Sequence, residues 1–121
     1  MYDDFNWMAD FLAAVLAPLG VSFERGEVVG SYCPGDFDLS LNGRKFCGIA
    51  QRRRLHAYSL QAFVIVEGKG EETGEIARWF YKRATGDKEQ AGALQVDPQK
   101  MASLQQLTGN VTVEQFLASL S

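Results

Sequence analysis

The chain has 121 residues, 46% hydrophobic and 22% charged, with a formal net charge of −3, which is the composition of one ordinary globular unit. No apolar run, Phe63 to Val66 included, approaches the roughly 18 residues a membrane-spanning helix needs, and Met1 to Asp10 is acidic and aromatic where a secretory signal is basic and then apolar. These features predict a cytoplasmic protein with no membrane association. The acidic balance argues against a nucleic-acid partner, although five of the 12 Lys and Arg lie between Arg44 and Arg54 and form a local basic strip.

Phe5, Met8, Phe11, Leu12, Val15, Leu16 and Leu19 recur at three- and four-residue steps, predicting an amphipathic helix capped by Asp3 or Asp4 and ended by Pro18 and Gly20. Val21 to Val29 reads as an extended arm turning at Glu24–Glu27. Gly30 to Gly35 is a loop by composition, punctuated by two glycines and a proline. Phe37 to Leu41 alternates apolar and polar residues, Asn42-Gly43 is a favoured two-residue turn, and Lys45 to Gln51 resumes the extended pattern, predicting a hairpin. Tyr58 to Glu67 has the β-branched and aromatic content of a third, more buried strand. After Gly68 and Gly70, Glu71 to Ala84 spaces Ile76, Trp79, Phe80 and Arg83 as a helix expected to cover one sheet face. Asp97-Pro98 predicts a capped helix running through Leu107 to Gly109, and Thr112 opens a last short helix to Leu120.

Among chemically competent residues, Cys33 lies in a Gly-bracketed loop between Tyr32 and Pro34, where a thiol is reachable and a nearby cation would favour the thiolate. Lys45 is the candidate cation, though only tertiary folding could bring the two together. Read from the residues alone, the favoured account is the plainer one: Cys33 as a small structural residue in a turn and Lys45 as a solvated hairpin lysine. Cys47, alternating with Lys45 and Ile49 beside Gly48, reads as a packed position. Asp36 and Asp38 share a face, with Asp38 expected to make a polar contact near the loop. His56 has no partner at metal-ligand spacing, and no phosphate-binding glycine motif occurs.

The stretch Ser31-Tyr32-Cys33-Pro34-Gly35, followed by Asp38-Leu39, Gly43-Arg44-Lys45 and Gly48-Ile49-Ala50-Gln51-Arg52, resembles the central signature of the octanoyltransferase and lipoate–protein ligase family, within the biotin/lipoate ligase superfamily. The loop resembles the branch that moves octanoyl groups between proteins, from the glycine cleavage H protein to lipoyl domains of 2-oxoacid dehydrogenases. The resemblance implies an α+β fold, an antiparallel sheet with flanking helices. It implies Cys33 as the acyl-accepting nucleophile and Lys45 as the lysine near the acyl carbonyl. Tyr32, Gly35, Phe46, Gly48, Ile49 and Ala50 are the implied substrate-binding residues, and Phe46, Ile49 and Ala50 candidate walls of an acyl slot. No cofactor is implied beyond the octanoyl or lipoyl group carried as substrate. Donor alternatives within the family are acyl carrier protein or free lipoate, and the alternative of another class is a non-catalytic module that binds lipoyl domains through the Arg44–Arg54 strip. Complete members run to roughly twice this length, so residues 1–121 are expected to form one partial catalytic domain without its N-terminal half. An isolated half would expose sheet edges and apolar surface, from which a homodimer is expected.

Overall fold

The structure is a computed structural model that describes residues 2–31, 37–85 and 97–120. It is an α+β arrangement. Helix α1 (Tyr2–Leu16) is followed by a short 3-10 turn and by strands β1 (Glu24–Arg25), β2 (Leu39–Leu41), β3 (Arg44–Arg54) and β4 (Ala57–Val64). Helix α2 (Gly70–Thr85), a 3-10 turn over Pro98–Lys100, and helices α3 (Leu104–Thr108) and α4 (Val113–Ser119) complete it. The four strands form one antiparallel sheet in chain order. Among the described residues no helix is long and apolar enough to cross a membrane.

The apolar stripe of α1 is largely buried as its spacing predicts, although Phe11 is 41% exposed and the helix starts at Tyr2, ahead of the expected caps Asp3 and Asp4. Ala9, Leu12 and Leu16 are buried with Leu39, Phe46, Cys47, Val66, Leu104 and Val111, so α1 and α3 close over one face of the sheet. Gly20 ends the first helical segment in the left-handed conformation, its N–H bonded to the Ala17 carbonyl. The β2–β3 turn is also the expected one. Asn42 and Gly43 adopt φ of 53° and 75°, the two positive values that match a tight turn to the twist of its strands.

Four expectations need correction. Glu24 and Arg25, read as part of a turn, pair with Ser40 and Leu39 as the edge strand β1. Strand β4 is mostly exposed, although its β-branched and aromatic content suggested burial. Helix α2 leaves Ile76 and Trp79 at 68% and 59% exposure and packs instead on the Pro98–Lys100 turn. Gly70 and Gly74 permit this, since a Cβ at either would fall within 3 Å of Ala102 or Pro98 backbone atoms. Finally, the helix expected from Asp97 to Leu107 is broken. Asp97 does cap its first turn by accepting the Gln99 N–H, but Met101 and Ser103 are extended. The Ala102 N–H is spent on the Lys45 carbonyl (3.0 Å), and Ser103 starts α3 with a capping box closed by Gln106.

Candidate functional site

Between β2 and β3 the register shifts by one residue. Ser40 faces Lys45, but Leu39 faces Cys47, so Phe46 is an extra residue in a β-bulge. Side chains on a regular strand alternate, which would set Lys45 with Cys47 and Ile49. The bulge resets that alternation. Phe46 and Cys47 both enter the core, and Phe46 meets Phe23 edge to face at 5.9 Å. Lys45 is left on the opposite face with Gly48, whose position lies 3.2 Å from Lys45 Cε when a Cβ is placed there.

Lys45 is not a solvated hairpin lysine. Its side chain is fully buried, and Nζ lies 2.9 Å from Asp38 Oδ1. A buried ammonium costs many kcal/mol unless paired, so the carboxylate is the condition for its being there. Asp38 is itself 2% exposed and its Oδ2 accepts the Val28 N–H at 3.0 Å. The face of the Phe63 ring, directly across from Gly48, lies 5.4 Å from Nζ, a cation–π contact in a desolvated setting. The Lys45 backbone is fixed independently: Met101 forms a parallel bridge with it and Ala102 donates to its carbonyl. Arg44 next to it donates to the Gln99 and Met101 carbonyls and pairs with Glu71 at 3.1 Å, which pins that crossing segment in place.

Beside this pair is a pocket of about 220 Å³ lined by Asp38, Gly48, Ile49, Ala50, Gln61, Ala62 and Phe63. Its floor is the β3–β4 ladder, in which Gly48 faces Phe63 and Ala50 faces Gln61. Of the substrate-binding residues anticipated from sequence, Gly48, Ile49 and Ala50 line the pocket, whereas Phe46 is in the core and does not. Cys33, Tyr32 and Gly35 lie outside the described residues. The other cysteine, Cys47, is buried, and desolvation pushes its thiol up to about 12 despite the lowering effect of Lys45. Such a thiol is protonated at neutral pH and is a poor nucleophile. Among the described residues no group of three His, Cys, Asp or Glu side chains could hold a metal ion.

Sequence reasoning gave Asp38 only a polar contact near the loop and missed Phe63 altogether. Asp38 was findable in principle: an acidic residue opening an otherwise apolar strand, seven positions before a lysine across a two-residue turn, is a candidate pair. Phe63 carried no such signal, because it meets Lys45 only through a register that no local pattern specifies.

All 121 residues of the chain match the family described as the lipoyl protein ligase A/B catalytic domain. The chain belongs to that family. Lipoyl protein ligase A/B relatives include octanoyl-[GcvH]:protein N-octanoyltransferases from several bacteria. The one from Oceanobacillus iheyensis is 41% identical over 110 residues, 90% of this chain and 39% of the relative. That from Geobacillus kaustophilus is 41% identical over 115 residues, 93% and 41% of the respective chains. One from an Exiguobacterium species is 45% identical over 94 residues, 76% of this chain and 34% of the relative. The chain thus spans about two fifths of the length of the curated relatives it matches. The pocket is lined by Asp38 and Phe63, both in contact with the buried Lys45 amine, so a mostly apolar cavity that suits a hydrocarbon chain adjoins a fixed charge pair.

Proposed function

We propose that this chain forms the nucleophile-bearing part of a cytoplasmic acyltransferase that moves an octanoyl group from the glycine cleavage H protein to a lysine of lipoyl domains, through a thioester on Cys33. The observation that carries the reading is the buried Lys45–Asp38 pair at 2.9 Å beside a pocket of apolar lining. In the first half-reaction the Cys33 thiolate adds to the amide carbonyl carbon of octanoyl-lysine. The C–N bond then breaks, and the donor lysine leaves as an amine after taking up a proton. In the second, the amine of the acceptor lysine attacks the thioester, the C–S bond breaks, and the thiolate is regenerated as the new amide loses a proton. Lys45 is the group that stabilises the oxyanion at each addition, a fixed charge that needs no reorganisation when the barrier is crossed. About six buried methylenes at roughly 0.8 kcal/mol each would contribute about 5 kcal/mol to holding the acyl chain.

The raised pKa of Cys47 supports assigning the chemistry to the other thiol. The names of the relatives support octanoylated H protein as donor over acyl carrier protein or free lipoate. The deciding experiment is intact-mass analysis of the protein in its natural full length after incubation with octanoylated H protein. A hydroxylamine-labile octanoyl adduct that disappears in Cys33→Ser is the expected result. An adduct formed only with octanoyl-acyl carrier protein moves the donor assignment, and binding to lipoyl domains without any adduct refutes the enzyme and leaves a docking module.

A further inference from the structure

We propose that Asp38 is a positioning residue for catalysis: it sets the Lys45 ammonium and the chain segment leading to Cys33 against one another through a single carboxylate. This rests on the acyltransferase reading above. The two ends of the segment that contains Cys33 are Val28–Ser31 and Phe37–Leu39, and Asp38 joins them. Its Oδ2 accepts the Val28 N–H at 3.0 Å, and its own carbonyl accepts the Gly26 N–H at 2.9 Å, so the start of the segment is tied to its end. On the Val28 side the chain is fixed further. Ser31 is 2% exposed and bonds the Val28 carbonyl through both its hydroxyl and its N–H, while the Gly30 carbonyl accepts the Asp97 N–H at 2.6 Å.

The second carboxylate oxygen, Oδ1, faces Lys45 Nζ at 2.9 Å across the bulged hairpin. Asparagine, which is nearly the same shape, has one carbonyl oxygen and one donor nitrogen. It can accept from Val28 or from Lys45, but it cannot do both, and it carries no charge to offset a buried ammonium. The requirement for an anion with two acceptor oxygens is therefore a requirement of the site's geometry. The packing around Val28 alone does not need it. Since Asp38 also lines the pocket, the joint lies where an acyl carbonyl would enter.

The test is a double-mutant cycle in the full-length protein with Asp38→Asn, Lys45→Met and the pair, followed by octanoyl transfer from H protein. If Asp38 acts through Lys45, Asp38→Asn lowers kcat by about 100-fold, as misplacement of a catalytic group by about 1 Å does, with KM for the octanoylated donor changed less than threefold. The double variant is then no slower than Lys45→Met alone. Losses that multiply in the double variant, or a loss confined to KM, overturn the proposal. The double variant also removes the buried ammonium whose pairing Asp38→Asn weakens, so the cycle retains a soluble corner. A readout separate from activity is mild reductive methylation followed by peptide mass analysis. Lys45 resists modification in the wild type and gains at least tenfold in Asp38→Asn. Unchanged protection overturns the positioning role. If wild-type protein forms no acyl adduct but methylation of Lys45 rises as expected, the functional reading fails while the structural role of Asp38 stands.

Discussion

Gly48→Ala separates the packing of the site from its chemistry. The added Cβ would lie 2.5 Å from Phe63 Cε1 and 3.2 Å from Lys45 Cε. Carbon atoms prefer about 3.5 to 4.0 Å, so the ring must retreat by about 1 Å. Phe63 is 36% exposed and borders the pocket, so it has room to move, and the overpacking cost belongs at the low end of the usual range, about 1–2 kcal/mol. Replacing glycine by alanine within a strand returns roughly 0.5–1 kcal/mol of backbone entropy. The net destabilisation is therefore about 1 kcal/mol, which moves Tm by about 4 °C in a chain of this size. Activity should fall much further, by about 100-fold, because the ring that moves is the one facing the Lys45 ammonium and the volume it takes is pocket volume. Circular-dichroism melts and octanoyl-transfer rates measure the two effects side by side. Pairing Gly48→Ala with Phe63→Leu should recover most of the lost stability by making room for the methyl group, but not the rate, because the ring facing Lys45 is then gone. A variant that keeps full activity, or one whose activity loss is fully accounted for by unfolding, would refute the account of why this position is glycine.

Gly70→Ala faces a harder obstacle, since its Cβ would lie 2.3–2.5 Å from the Ala102 backbone, which cannot rotate away. We expect a loss of about 3 kcal/mol, read as a lowered urea midpoint. Cys47 should resist iodoacetamide at pH 8 until the protein unfolds. Its folded pKa of about 12 exceeds the ordinary 9.0, so both states keep the proton below pH 9; above that the unfolded chain ionises first, and stability should decline as pH rises from 9 toward 12. Cys47→Ala should flatten that decline in pH-dependent denaturation. Thr112→Ala removes the hydroxyl that accepts the Gln115 N–H and opens the capping box of α4, at a cost of about 1 kcal/mol in thermal unfolding.

What could be read from the sequence was whatever is decided within a few residues. The α1 stripe, the Asn42-Gly43 turn, the Asp97 cap and the last helix from Thr112 all depend on neighbours no more than one or two turns away, and all are present. Ser103 and Gln106 are the ends of a capping box that was there to be read, and they mark the break in the helix anticipated through Leu107. Longer-range outcomes were not legible. The docking of α2 on Pro98 depends on two glycines whose role appears only when a second backbone meets them. The burial of Lys45 depends on Asp38, Val28, Phe63 and Ala102 converging from four parts of the chain. The family signature pointed to this lysine by resemblance, without a physical reason why a charge should tolerate such a place.

The extra residue at Phe46 has a consequence for anyone varying this hairpin. A regular strand over these same residues would set Lys45 on the core face with Cys47, whereas the bulge keeps it on the other side beside Asp38; deleting Phe46 would leave that side assignment but take an aromatic side chain out of the core. Libraries or grafts built on this scaffold should keep the bulge and its aromatic residue and let chemistry vary around them.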